Sequence, residues 1–223
     1  MKTLEKTYDA IARERDAARK QPREWLKFFL PFLKRNWVVL DAGCGNANNA
    51  IEIARRVKRV ACLDFSKETL ECARENARAA KLERKIELIK ADITKMPFRN
   101  AEFDAAFYVA VLHHLRSGRE QNAAFKEMNR VLKPRGLVFA QYWNKTQPRF
   151  AKIKGKSALV PGAAWGGKRF KRYYYFFDEK EIRALARAHG FRVSELFYEK
   201  NGVKTVRKGA WNVCFILEKI KSA

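Results

Sequence analysis

Acidic residues are scarce in this chain: 24 Asp and Glu stand against 48 Lys and Arg in 223 residues, a formal charge of +24. A field of that sign disfavours free cations and attracts polyanions. Nucleic acid is the first partner class it suggests and an anionic membrane surface the second; a basic bias running through a whole proteome would give the same balance. Cysteine is also sparse. Cys44, Cys62, Cys72 and Cys214 form no CxxC pair, so neither a disulfide framework nor a structural zinc is expected, and the usage suits a reduced, cytoplasmic protein. No apolar run is long enough to span a bilayer, and Met1–Lys6 has no apolar signal core, which reads as no membrane anchor and no secretion signal. Internal repeats and low-complexity tracts are absent.

Apolar residues make up 47% of the chain, which is enough for one globular domain spanning 1–223. Residues 1–35 form an N-terminal helical segment. A charged helix near 3–20 carries Leu4, Tyr8, Ile11 and Ala12 on one face, and Pro22 interrupts it. Trp25–Leu33 then reads as a dense apolar helix, broken or kinked at Pro31. Strands are expected at about 37–41, 60–64, 86–91, 103–109 and 136–141, with helices near 47–57, 67–80 and 120–131. This alternation builds a parallel α/β sheet with helices on both faces. Lys133-Pro134-Arg135-Gly136 reads as a turn. Asp178–Glu181 caps a helix ended by Gly190, and strands at 192–199 and 210–217 form an antiparallel hairpin, with Asn201-Gly202 at the tip of the first.

Residues 143–177 differ from the rest. They hold nine cations, aromatic residues that include Trp143, Trp165, Phe170, Tyr173, Tyr174 and Tyr175, and no acid. The stretch reads as an irregular insertion or lid on the functional side of the sheet.

Val38–Asn46 is the most informative segment: an apolar strand runs into Asp41-Ala42-Gly43-Cys44-Gly45, and a second strand ends in Asp64 about 20 residues later. Glycines let backbone approach a ligand, and an acid at the second strand end can accept from both ribose hydroxyls. The turn lacks the GxGxxG of dinucleotide folds. Asp-x-Gly-x-Gly instead resembles the first motif of the class I S-adenosyl-L-methionine-dependent methyltransferases, whose further glycine is replaced here by Ala47. Lys90-Ala91-Asp92-Ile93, the stretch Phe103–Leu115 and Val131–Leu137 follow in that family's order. The resemblance implies a Rossmann-like, seven-stranded, mostly parallel sheet with a C-terminal antiparallel hairpin. It also implies S-adenosylmethionine contacts from Tyr8, Asp41, Ala42, Gly43, Cys44, Gly45, Asp64, Phe65, Asp92, Ile93 and Val109, with Asp92 on the adenine amino group.

Tyr8-Asp9-x-Ile11-Ala12, Ala110–Leu115, Gln141-Tyr142-Trp143, Tyr173–Phe177 and Trp211-Asn212 resemble the tRNA wobble-uridine methyltransferases, which esterify carboxymethyluridine. That family's Thr-Arg…Pro-Trp segment is altered at Ala18–Trp25, where the Trp is shifted. The implied partners are tRNA and a small zinc-binding activator protein. His113, His114 and Trp143 are the candidate catalytic residues. The histidines could instead cap a turn, and Trp143 could be core rather than pocket wall. Arg19, Lys20, Arg23, Lys145, Arg149, Lys168, Arg169, Lys171 and Arg172 are the candidate RNA contacts, with a solvated surface as the alternative; Tyr173–Phe177 reads as core or hinge. A carboxylate acceptor is already anionic and needs no general base; a ring nitrogen or hydroxyl would need one, and His114 is the candidate. A small-molecule methyltransferase and a donor-binding RNA module without turnover are the alternative functions.

Overall fold

The computed structural model describes residues 2–165 and 168–220, with side chains for 4–162 and 170–220. Five strands form the parallel part of the sheet: β1 (Val38–Ala42), β2 (Arg59–Asp64), β3 (Ile86–Lys90), β4 (Phe103–Val109) and β5 (Leu132–Trp143). Helices α1 (Lys2–Ala17), α2 (Asn48–Ala54), α3 (Lys67–Ala79), α4 (Gly118–Val131) and α5 (Glu179–Ala188) surround it. A basic ribbon of β6 (Ser157–Trp165) and β7 (Lys168–Tyr175) precedes α5, and β8 (Phe191–Lys200), β9 (Val203–Thr205) and β10 (Asn212–Lys219) complete the chain. The main sheet has eight strands in the order β3-β2-β1-β4-β5-β10-β8-β9, one more than the resemblance implies.

The alternation of side chains along β1 divides the core. Leu40 joins a cluster with Phe125 and Met128 of α4 and Ile182 of α5, while Val39 joins one with Ala50 of α2, Leu70 of α3 and Trp25. Both faces are therefore covered, as a parallel sheet requires. Phe139 anchors the second cluster, with Phe107 at 4.9 Å and Phe29 at 5.2 Å between ring centroids. Truncating a ring so placed costs about 3–5 kcal/mol. Ser66, Ser117 and Asp178 cap α3, α4 and α5, the last through a reciprocal capping box with Glu181.

Four local expectations need correction. Trp25–Leu33 is not an α-helix: Glu24–Phe28 and Leu30–Phe32 are single 3-10 turns, because Pro31 denies the continuous backbone pairing that the apolar density suggested. The expected antiparallel pairing of 192–199 with 210–217 is present as β8 with β10, but Asn201-Gly202, both at positive φ, leads instead from β8 into the short edge strand β9 on its other side. Lys133–Gly136 does not end the helix ahead of a fresh strand but bulges within β5, where Phe103 faces Leu132 and Ala105 already faces Leu137. Of the segment read as irregular between 143 and 177, the second half forms the β6–β7 ribbon, while 144–156 holds turns and one short 3-10 turn. Among the described residues no helix is long and apolar enough to cross a membrane.

Candidate active site

The parallel strands all end on one edge of the sheet, and two adjoining cavities open there. The smaller, about 70 Å³, lies over the turn after β1 and is bounded by Gly43, Gly45, Asp64, Phe65, Asp92 and Ile93. Gly43 has φ +75° and a Cβ there would lie 2.2 Å from Val111 Cγ2, so the packing of the protein itself demands glycine. Gly45, at φ +58°, faces the Arg15 guanidinium at 3.5 Å from the position of an added Cβ. Asp64 Oδ2 accepts from Gly45 N–H at 3.0 Å and Oδ1 from Ser66 N–H at 3.0 Å, which ties the two strand ends together. Asp92 Oδ1 accepts from Thr94 N–H and Oγ1, both at 2.9 Å. Asp41 is buried and neither carboxylate oxygen has a partner. Loss of solvation, reinforced by Asp64, pushes its pKa up to about 7.

Helix α1 lies across this cavity. Asp9 Oδ1 accepts from Ser66 Oγ at 2.7 Å, Asp16 Oδ1 accepts from Asn46 and Asn76 amides at 2.8 and 2.7 Å, and Lys90 pairs with Glu5 at 2.8 Å. Leu4, Tyr8 and Arg15 consequently fill much of the space above the glycine turn.

The larger chamber, about 530 Å³, is walled by Arg15, Arg19, Arg23, Arg149 and Arg172, with no acid among the described residues of its lining. Its aromatic walls are Tyr8, Trp25, Trp143, Tyr174 and Trp211, and Gln141, Gln147 and Asn212 supply amides. Tyr8, Arg15, Val109, Ala110 and His114 border both cavities. None of the five arginines has a carboxylate ion-pair partner among the described contacts, and Arg15 Nε is buried without a hydrogen bond. Desolvation, then Arg15 and Arg23, push half-buried Arg19 down to about 9.

A hydrogen-bond chain crosses the boundary between the cavities. Arg172 Nη1 donates to the Tyr8 hydroxyl at 3.3 Å, and Tyr8 Oη lies 3.1 Å from His114 Nε2. His114 Nδ1 lies 2.9 Å from the Tyr173 carbonyl, which can only accept. The proton is therefore on Nδ1, and Nε2 accepts from Tyr8. Burial keeps both His113 and His114 far below the usual histidine pKa, with the neighbouring arginines acting in the same direction, so both rings are neutral. Trp143 is already stacked within the protein: Tyr174 lies parallel at 4.6 Å and the Arg149 guanidinium is 3.7 Å from its ring centre.

Residues 40–140 match the family described as a methyltransferase domain. A methyltransferase of Encephalitozoon cuniculi (strain GB-M1) is 31% identical over 83% of this chain and 85% of its own length. The chain belongs to the class I S-adenosylmethionine-dependent methyltransferases. A S-adenosylmethionine-dependent methyltransferase of Methanosarcina mazei superposes with a TM-score of 0.73 at 22% identity, covering 87% of this chain and 98% of that one. The tRNA (carboxymethyluridine(34)-5-O)-methyltransferase of Arabidopsis thaliana is 31% identical over 66% of the chain, which spans only 34% of that longer protein. A 2-phytyl-1,4-naphtoquinone methyltransferase of Nostoc punctiforme is 31% identical over 75% of the chain and 77% of its own length.

The smaller cavity suits the methyl donor of this class. The turn carries no Cβ at Gly43 or Gly45, Asp64 ends β2, and the unpartnered Asp41 carboxylate matches an ammonium group. Ligand pockets occupy about 300–1,000 Å³, so α1 side chains must shift to admit the donor into a space of about 70 Å³. Of the expected donor contacts, Tyr8, Gly43, Gly45, Asp64, Phe65, Asp92, Ile93 and Val109 border the cavity, while Asp41, Ala42 and Cys44 are buried just behind it. His113, His114 and Trp143 border the methyltransferase's larger chamber.

The expected RNA cations divide. Arg19, Arg23, Arg149 and Arg172 line the chamber. Lys20 is instead paired with Asp16 at 2.6 Å, Lys145 Nζ is bound to the carbonyls of Lys154 and Gly155, and Lys171 is exposed outside the chamber. The side chains of Lys168 and Arg169 lie outside the described residues. Tyr174, read as core or hinge, is both buried and a chamber wall. Arg15 was not singled out by sequence; its signal is the spacing of seven from Tyr8, two helical turns along the same face.

Proposed function

We propose that this methyltransferase esterifies the carboxylate of a carboxymethyl-type side chain on the wobble uridine of tRNA. The observation that carries the reading is the chamber of five arginines and no acids, bordered on the donor side by Tyr8, Arg15, Val109, Ala110 and His114. Guanidinium groups without carboxylate partners favour an anionic acceptor, because bound anion restores the charge balance that the protein leaves open. The absence of an available base agrees with this, since His114 Nε2 already accepts from Tyr8 and His113 is neutral and buried. A carboxylate needs no deprotonation at neutral pH.

Bound S-adenosylmethionine supplies an electrophilic methyl carbon on a sulfonium sulfur. Asp64 would hold its ribose hydroxyls and Asp92 its adenine amino group, and the unpartnered Asp41 carboxylate, buried behind the glycine turn, would balance its ammonium. Arg15 and Arg172 hold the acceptor carboxylate in line at the boundary of the two cavities, where placement supplies most of the rate. Tyr8 and His114 form the wall against which it is placed. Arg19, Arg23 and Arg149 take phosphates, while the aromatic walls exclude water from the uracil.

A quinone acceptor is the second reading, favoured by the naphthoquinone methyltransferase match along three-quarters of this chain. A phytyl chain is apolar and has no use for five arginines. Labelled donor and tRNA from a strain lacking the gene separate the two. Transfer of label to the anticodon nucleoside as a base-labile methyl ester supports esterification; label only in lipid or small metabolites overturns it.

A further inference from the structure

A third hollow adjoins the acceptor chamber on the side away from the donor. It measures about 420 Å³, close to the 530 Å³ of the chamber itself. The two share a wall made by Arg19, Arg23, Trp25, Trp211 and Asn212. The segment carrying the two arginines is fixed through its backbone: the Arg19 carbonyl accepts from the Asn46 and Asn48 amides, and Arg23 N–H donates to Asn49 Oδ1 at 3.1 Å. Their guanidinium groups remain without carboxylate partners among the described contacts, although they sit between two cavities. Two acids also line the hollow: buried Glu199 is engaged by Gly202 N–H and Asn212 Nδ2, and Glu24 is exposed and pairs with neither arginine among the described contacts.

Trp211 differs from the other aromatic walls. It is 44% exposed, whereas Trp25 and Tyr174 are buried. Its backbone is anchored at both groups, with N–H donating to the Glu199 carbonyl at 2.9 Å and its own carbonyl accepting from Asn144 N–H at 2.9 Å. Lys200 Nζ lies 5.8 Å from its ring centre. A rigidly held, exposed indole beside cations is suited to base stacking.

We infer that the hollow beside Trp211 is a second nucleotide subsite, which takes the base adjoining the methylated nucleotide while Arg19 and Arg23 hold the phosphodiester between them. This rests on the tRNA reading above and sharpens it: the recognised unit is at least a dinucleotide, and a free nucleoside lacks both the shared phosphate and the stacked base. Two hollows of matched size divided by a cationic wall fit two nucleosides joined by one phosphate better than they fit a single small acceptor.

The test compares kcat/KM for four acceptors: 5-carboxymethyluridine, its two dinucleotides with uridine on the 5′ or the 3′ side, and an anticodon stem-loop containing it. One dinucleotide is expected to exceed the nucleoside by at least about tenfold, the yield of one stacked base plus one phosphate contact. Trp211→Ala should reduce that advantage by about tenfold, and Trp211→Phe should restore most of it, which a folding defect would not permit. Equal rates for the nucleoside and both dinucleotides, or an advantage untouched by Trp211→Ala, would overturn the subsite while leaving the esterification reading intact. No transfer to any of the four would overturn both.

Discussion

The donor cavity and the acceptor chamber stand side by side at the same sheet edge, yet they treat charge in opposite ways. Around the donor turn, Asp64 accepts from Gly45 and Ser66 and Asp16 from Asn46 and Asn76, while Asp41 has no partner among the described residues. Around the chamber, five guanidinium groups crowd together with no carboxylate to balance them. The charges of one site are largely satisfied within the protein, and those of the other are not. The first is shaped by backbone geometry at Gly43 and Gly45; the second is shaped by side-chain charge.

The sharpest break of that contrast is at the donor turn. Gly43→Ala forces a β-carbon against Val111 at a φ of +75° and should cost about 2–4 kcal/mol of stability, with donor affinity falling at least about tenfold. Adding Val111→Ala should recover the steric part and not the backbone part; thermal unfolding and calorimetric titration with S-adenosylhomocysteine measure both. In the chamber, Arg15→Leu or Arg172→Leu should lower kcat/KM for a carboxylate acceptor by roughly 10- to 150-fold, the worth of a charge-assisted hydrogen bond of about 1.5–3 kcal/mol. A neutral amide analogue should distinguish the variants from the parent far less in binding. Equal losses for both acceptors would show that the arginines support the fold rather than read charge.

Asp41 gives a pH-dependent test. Its folded pKa of about 7 stands above the unfolded value near 4, so the folded chain binds the extra proton between them. The stability this carboxyl contributes is present at low pH and is lost as pH rises through 7. Asp41→Asn should therefore raise the melting temperature of the donor-free protein at pH 8 by about 2–4 °C or more and leave it nearly unchanged at pH 4, while weakening donor binding. Because His113 and His114 stay neutral, kcat with saturating donor should show no histidine limb between pH 6 and 8. The smallest effect lies just beyond the turn. Ala47 holds a left-handed φ of 63°, so Ala47→Gly should stabilise by up to about 1 kcal/mol in chemical denaturation, the lost methyl packing offsetting part of the relief.

The donor side was legible because its signals are local. A strand, a glycine turn and an acid at the next strand end lie within 30 residues, and Gly43, Gly45 and Asp64 come to the cavity, with Asp41 just behind it, by short-range geometry alone. The chamber is assembled from α1, the loop after β4, the ribbon and the start of β10, which no short window contains. Arg172, Tyr174 and Phe176 do alternate inward with Lys171, Tyr173 and Tyr175 outward, a strand period in residues that do not alternate in polarity. Charge hid that strand, and apolar density at Trp25–Leu33 imitated a helix that Pro31 prevents. Arg15 looks like any solvated cation of α1 until Tyr8 and Gly45 give it a place.

The hydroxyl of Tyr8 joins three parts of the chain that are distant in sequence: α1 itself, the His114 turn and Arg172 of the ribbon. An ordinary hydrogen bond of this kind nets only about 0.5–1.5 kcal/mol, so the knot is easily undone and easily retied. Any displacement of α1 from the cavity edge therefore breaks its contacts with the His114 turn and with Arg172 of the ribbon together, so the three segments are coupled through one phenol.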